Sequence, residues 1–361
     1  MNWNWQLSDW PKFTYDRTLI DQKERLFFLT SGMSLAFLEN IGSLERNQFI
    51  IEILSMEGIE SSKIEGELLE RASLQSSIKK HFGLDSEVKQ ETKKEKGMAE
   101  LLCNVYETFE KPLTHEMLWE WHAILFRDNE EKYPAHEEPM QIVSGRLDSR
   151  RVFFEAPPSK KVFDEMTLFI NWFNFPNPAE SVLGRAAITH VYFETIHPFE
   201  DGNGRIGRVL SEKVLSQGVG KPTLIAISKF IEKQKKTYYE EIGGCNRSLE
   251  ASSWVSFFAD VVLQAQEDSI QFLHFLIEKS KLFTELSGLI NERQEKVLLR
   301  MFEEGLNGFK GGLSAENYIS ITKASRATTT RNLAELVQKG ALIRTGELRY
   351  TRYFLNLKSN A

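Results

Sequence analysis

Cysteine is nearly absent. The 361 residues hold only Cys103 and Cys245, which excludes a disulfide framework and offers no metal-ligand spacing. A reducing, intracellular setting is the simpler expectation. Long apolar runs are missing too: none approaches the roughly 18 residues that a membrane span needs. The opening Met1-Asn2-Trp3-Asn4-Trp5 lacks the basic-then-apolar order of a signal peptide. The expectation is a cytoplasmic chain with no membrane partner. Nor is there an excess of positive charge, and the net charge of −6 argues against a protein that coats nucleic acid with its whole surface. What is present is 41% hydrophobic residues, enough over this length for a sizeable core divided among two or three domains.

The stretch richest in chemistry is His197-Pro198-Phe199-Glu200-Asp201-Gly202-Asn203-Gly204-Arg205-Ile206-Gly207-Arg208, set between the apolar-periodic segments 182–196 and 206–215. Pro198 predicts that the first helix ends near His197, because the residue before a proline is pushed out of the helical region. Glycines let the backbone turn tightly and approach a ligand. A second helix starting near Gly204 would face the loop with unpaired N–H groups and the positive end of its dipole, which suits a phosphate. Arg205 and Arg208, three apart, would share one helical face and fork onto phosphate oxygens. Gly-Asn-Gly alone is usually a turn and an arginine pair alone a solvated face, but twelve residues that carry all these elements make chance a poor account. A zinc reading also exists, since His190, Glu194 and His197 fall at i, i+4 and i+7. Against it, His197 falls at the helix end and His190 is more simply a core or capping histidine.

This loop resembles the signature of the Fic (Fic/Doc-type) family, His-Pro-Phe-x-x-Gly-Asn-Gly-Arg-x-x-Arg, at every fixed position. Family members commonly transfer AMP from ATP to a protein hydroxyl. The resemblance implies that His197 is the general base and that Asp201 holds Mg²⁺. The run Gly202, Asn203, Gly204, Arg205, Ile206 and Gly207 would cradle the phosphates, and Arg208 would take the γ-phosphate or a carboxylate in its place. Upstream, Ser61-Ser62-Lys63-Ile64-Glu65-Gly66-Glu67 reads on its own as an ordinary polar helix weakened by glycine. It also resembles the family's inhibitory motif Ser/Thr-x-x-x-Glu-Gly/Asn, filled by Ser61, Glu65 and Gly66. A carboxylate docked on an arginine meant for phosphate satisfies that arginine and repels the anion. Glu67 is expected to face elsewhere on the helix and to matter little.

Met140 to Arg146 reads as a short strand ending in a glycine turn, with a second apolar run at Val152-Phe153-Phe154. By resemblance this hairpin is the Fic flap, with Ile142, Val143, Ser144 and Gly145 at the ligand and its edge aligning a target peptide by strand addition. Tyr238 and Tyr239 would ordinarily be core or boundary packing. By resemblance they form the adenine pocket with Asn246.

Elsewhere the chain reads as follows. Trp3, Trp5, Trp10, Phe13 and Tyr15 lack helical period and form an extended arm whose aromatics pack onto the body. Residues 16–81 are helical. The mixed charges of 85–96 read as a solvated face or linker. A helix follows over 97–109, Thr114 caps another over 116–126, and 254–279 is a long amphipathic helix. From about Asn291, helical segments at 294–303, 314–319 and 325–339 precede two strand-like runs around Gly346, the order of a winged helix. Its recognition helix would begin at Ser325-Arg326, with groups that reach phosphates or base edges.

The predicted architecture is mainly α: a Fic-type helical core with a small β-hairpin flap and a C-terminal winged-helix module. The boundaries are 1–100 for the arm and inhibitory helical region, 101–285 for the catalytic core, and 286–361 for the module. The predicted function is a protein adenylyltransferase that uses ATP and Mg²⁺, modifies a Ser, Thr or Tyr hydroxyl of a target protein or of itself, and is restrained by Glu65. Removal of AMP by the reverse, hydrolytic route stays open, as do homodimerisation, DNA binding by the module and transfer of another phosphate-containing group. The alternative is a transcriptional regulator whose core senses nucleotide.

Overall fold

A computed structural model describes residues 2–84, 92–127, 132–134, 139–144, 151–305 and 308–357, with the backbone alone for 142–144 and 151. Among them are fourteen α-helices and two antiparallel strand pairs, so the fold is mainly α as the sequence predicts. The chain divides into two compact units, 1–36 with 50–269 and 37–49 with 270–361.

The first helices are α1 (Asp21–Asn40), α2 (Ser43–Ile64) and α3 (Arg71–His81), followed by α4 (Lys93–Thr108) and α5 (His115–Phe126). Thr114 caps α5 as expected, its side chain accepting the N–H of Met117. The charged run behaves differently from expectation over its last residues. Thr92 and Glu95 form a capping box, so α4 starts at Lys93. Glu95 is buried and also accepts the N–H of Glu70 at 3.1 Å, which makes it a joint between α4 and the turn before α3. The part at 85–91 lies outside the described residues.

The hairpin consists of β1 (Gln141–Ser144) and β2 (Arg151–Glu155), paired Gln141 to Glu155 and Ile142 to Phe154, with a bulge before Val143. After it come α6 (Ser159–Asn174), α7 (Val182–Ile196), α8 (Asn203–Val219), α9 (Ile227–Lys233), α10 (Lys235–Cys245) and α11 (Ser252–Glu285). The helix α7 is apolar nearly all round and is correspondingly buried at the centre of its unit. Small residues let α8 lie close against it: Ser211 Oγ donates to the carbonyl of Ala186 at 2.9 Å, and Gly207 rests on the His190 ring. The N-terminal arm packs across this unit, with Trp10 edge-on to Tyr192 at 5.0 Å and Trp10 Nε1 donating to Glu165 at 2.9 Å.

The second unit holds α12 (Glu292–Glu303), α13 (Ala315–Thr322), α14 (Arg326–Gln338), β3 (Leu342–Thr345) and β4 (Arg352–Leu355). Asn291, Ser314 and Ser325 cap the three helices, and Leu342 pairs with Leu355 in the hairpin. Inside, Asn332 Nδ2 donates to Tyr318 Oη at 2.8 Å. Segment 37–49, which the sequence reading grouped with residues 1–100, clusters with this unit.

Both cysteines are free and buried, and burial pushes each thiol up to about 12, so neither is a nucleophile near neutrality. Among the described residues no helix is long and apolar enough to cross a membrane.

Candidate active site

The site grows from the junction of α7 and α8. His197 ends α7 in the left-handed region, φ +50°, and donates its N–H to the carbonyl of Phe193 at 3.0 Å. Glu194, one turn back, holds its carboxylate 3.7 Å from His197 Nδ1. Burial pushes the Glu194 carboxyl up, but His197, His190 and Arg208 outweigh it and hold the group below the usual carboxylate range.

The loop then reverses at Gly202, φ +86°, where a Cβ would lie 2.9 Å from the Phe126 ring. The helix α8 begins at Asn203, one residue before the expected start, and Ile206 makes the first intrahelical bond, to the carbonyl of Gly202 at 2.9 Å. The N–H groups of Asn203, Gly204 and Arg205 precede that bond and form the anion-facing end of the helix. The Asn203 amide is occupied: it donates to the carbonyl of Phe199 at 2.7 Å and accepts its N–H at 3.1 Å. Asn203 therefore braces the loop with its side chain and has only its N–H to offer a ligand.

The two arginines are each engaged by a carboxylate from the end of α2. Arg208 is fully buried and donates to Ser61 Oγ at 2.9 Å, to the Ser61 carbonyl at 2.9 Å and to Glu65 Oε1 at 2.8 Å. Burial works against its charge, yet Glu65, Tyr238 and Glu57 together outweigh it and raise the guanidinium above its ordinary range. Gly204 lies so close that a Cβ there would overlap Glu65. Arg205 donates to Glu67 Oε2 at 2.6 Å and to Asp201 Oδ1 at 3.1 Å, while Lys94 donates to Glu67 Oε1 at 2.9 Å. Glu67 thus overturns the expectation that it faces away. The reason is local: α2 stops at Ile64, Gly66 turns at φ +82°, and the N–H of Glu67 returns to the Ser62 carbonyl at 2.9 Å.

His190 lies behind this layer, fully buried, with Nε2 2.8 Å from Tyr238 Oη, and burial holds it below its ordinary range. It does not converge with Glu194 and His197. Among the described residues no group of three or more His, Cys, Asp or Glu could hold a metal, which disposes of the zinc reading. Asp201 has a different relation to a cation. Its side chain is 67% exposed at the cavity, and one hard carboxylate is the donor set with which Mg²⁺ binds alongside phosphates and water.

These elements enclose a cavity of about 460 Å³. Of the predicted residues, Glu65, His197, Asp201, Gly202, Asn203, Gly204, Tyr238, Tyr239 and Asn246 line it. Tyr238 turns its hydroxyl inward onto His190, leaving Tyr239, 47% exposed, as the outer ring. Ile206 and Gly207 do not reach the cavity, since Ile206 is core and Gly207 faces His190. Arg205 and Arg208 stand behind its wall on the carboxylates described. Ile142, Val143 and Ser144 form β1, and Gly145 lies outside the described residues. Sequence reasoning missed Phe153 and Phe154 as lining, and considered Glu194 only as a zinc ligand, not as the carboxylate beside His197, although its i−3 spacing was a signal.

Residues 112–215 match the Fic/DOC family, and residues 3–84 match a domain of unknown function, DUF4172. The chain is similar to a probable protein adenylyltransferase of Aquifex aeolicus, 39% identical over 62 residues that cover 17% of this chain and 19% of that protein. It is also similar to protein adenylyltransferase Fic of Nematostella vectensis, 29% identical over 116 residues that cover 31% of this chain and 26% of that protein. The chain thus spans about a fifth to a quarter of the curated relatives it matches. A crystal structure of a Fic family protein from Desulfovibrio desulfuricans shares the fold, with a TM-score of 0.53 at 20% identity over 96% of this chain and 98% of that one. The loop lies inside the segment 112–215 that matches the Fic/DOC family, and the helical architecture agrees with that match.

Proposed function

We propose that the protein is an adenylyltransferase that moves AMP from ATP to a Ser, Thr or Tyr hydroxyl of a protein, itself included, and is restrained by Glu65. The observation that carries this reading is the convergence of His197, the open N-terminus of α8 and the Glu65–Arg208 pair on one cavity. The phosphates of ATP lie along the N–H groups of Asn203, Gly204 and Arg205, where charge that grows in the transition state is stabilised. Arg208 takes the γ-phosphate once Glu65 leaves it. Tyr239, Tyr238 and Asn246 hold the nucleoside, and the hairpin edge aligns the target. His197, oriented by Glu194, accepts the hydroxyl proton as the oxygen attacks the α-phosphorus. The bond from that phosphorus to the β-phosphate oxygen breaks, and diphosphate departs. Asp201 would hold Mg²⁺, which when bound neutralises phosphate charge. With Glu65 in place a water could be positioned instead, which is the route for AMP removal. The test is label transfer from ATP to the protein and to candidate targets. No label on any protein from wild type or Glu65→Gly, at saturating ATP and Mg²⁺, rejects the reading.

A second reading concerns the C-terminal unit, whose helix order and hairpin fit a winged helix. The first turns of α14 expose Arg326 and Arg331, with side chains 85% and 72% accessible. Exposed guanidinium groups at the start of such a helix suit phosphate contacts on a DNA duplex, so a nucleotide-sensing regulator is the alternative function.

A further inference from the structure

The first residues of the chain are tied to three walls of the cavity. Asn4 is fully buried, and its Nδ2 donates to Thr195 Oγ1 at 2.9 Å, two residues before His197. Its main-chain N–H donates to the carbonyl of Asn246 at 2.9 Å, just past α10, and its Oδ1 accepts the N–H of Trp5 at 2.8 Å. Trp5 Nε1 donates to the carbonyl of Glu155 at 2.7 Å, the last residue of β2. The Trp3 ring meets Phe154 edge-on at 5.3 Å, and the Arg247 guanidinium lies 3.4 Å from its centroid. Phe154, Thr195 and Asn246 all line the cavity.

An arm that only covered apolar surface would need none of these directional bonds. Here three consecutive residues join elements that are weakly held by themselves: a two-stranded hairpin, which is marginal without packing, and two helix ends, which fray. We propose that Trp3, Asn4 and Trp5 are positioning residues for nucleotide binding. The arm holds Phe154 on one side and Asn246 on the other at the separation that a nucleoside needs, the identity of that ligand resting on the adenylyltransferase reading. A wall held in place beforehand spares the ligand the cost of ordering it.

The test uses the full chain, with ADP binding by calorimetry beside the kinetics of AMP transfer. Trp3→Ala and Asn4→Ala should weaken ADP about tenfold and raise the KM for ATP in parallel, with kcat at saturation within about threefold of wild type. Trp3→Phe, which keeps a ring against Phe154 and Arg247, should recover most of the affinity. Trp10→Phe is the control: Trp10 packs on Tyr192 and Phe13 and donates to Glu165, none of which lines the cavity. It should lower the Tm and leave ADP affinity alone. Should Trp3→Ala fail to fold, Trp5→Phe removes only the bond to Glu155 and should weaken ADP about threefold. ADP affinity unchanged in the arm variants, or reduced equally in Trp10→Phe, overturns the inference. A wild-type chain that binds no adenine nucleotide instead removes the functional reading beneath it.

Discussion

In the proposed reaction His197, Glu65 and Glu67 carry separable tasks, and single substitutions can tell them apart. His197→Ala should abolish AMP transfer and leave ATP binding within about threefold, because the proposed site rests the phosphates on α8 and not on the imidazole. Calorimetry beside label transfer checks this, and full activity in the variant rejects the base assignment. Glu65→Gly should raise transfer, self-modification included, by at least about tenfold with a modest change in ATP affinity, since a misaligned α-phosphate costs rate more than binding. Equal rates in wild type and variant would remove the restraint from the account. Glu67→Gln should act on the other quantity. It frees Arg205 from a 2.6 Å ion pair while Arg208 stays blocked, so ATP should bind about three- to tenfold tighter with little gain in rate. An unchanged dissociation constant at low salt would show that Arg205 holds phosphate no better without its carboxylate.

Helices α2 and α8 bring two further acids together. Glu57 on α2 accepts the N–H of Ser228 at 2.8 Å and its hydroxyl, and Glu212 on α8 accepts Thr223 Oγ1 at 2.9 Å. Burial, then the charge of Glu57, pushes Glu212 from 4.5 to about 8, and burial raises Glu57 as well. A carboxyl whose folded pKa exceeds its unfolded one holds more protons when folded, so stability is lost as pH rises from about 4.5 to 8. Glu212→Gln keeps the acceptor for Thr223 and removes the titration. It should stabilise the protein by about 1–3 kcal/mol at pH 8 and do little at pH 4.5. Thermal melts at both pH values check it, and an identical pH dependence in the variant would exclude Glu212 as the source. A helix start was legible in the sequence where a cap announced it, as at Thr114. The start of α4 was less so, because Glu95 looks like one more charge in a mixed run until its partners, Thr92 and the N–H of Glu70, are known.

For the whole molecule, the C-terminal unit offers a test independent of catalysis. If α14 enters a DNA groove, the double variant Arg326→Ala/Arg331→Ala should weaken binding across sequences and reduce the slope of log affinity against log salt by about 2. A gel shift with no DNA bound at low salt would favour a protein-docking role. The sequence by itself determined the local chemistry: the histidine, the glycine turn and the helix start that can face an anion occupy twelve consecutive residues, where backbone rules need no distant partner. Tertiary structure alone decided which groups answer them. Glu65 and Glu67 lie 143 and 138 residues from the arginines they engage, and the Gly66 turn sends Glu67 to Arg205 against the helical spacing. Asn4 reaches Thr195 across 191 residues, a contact that no periodicity encodes because it depends on how separate elements pack.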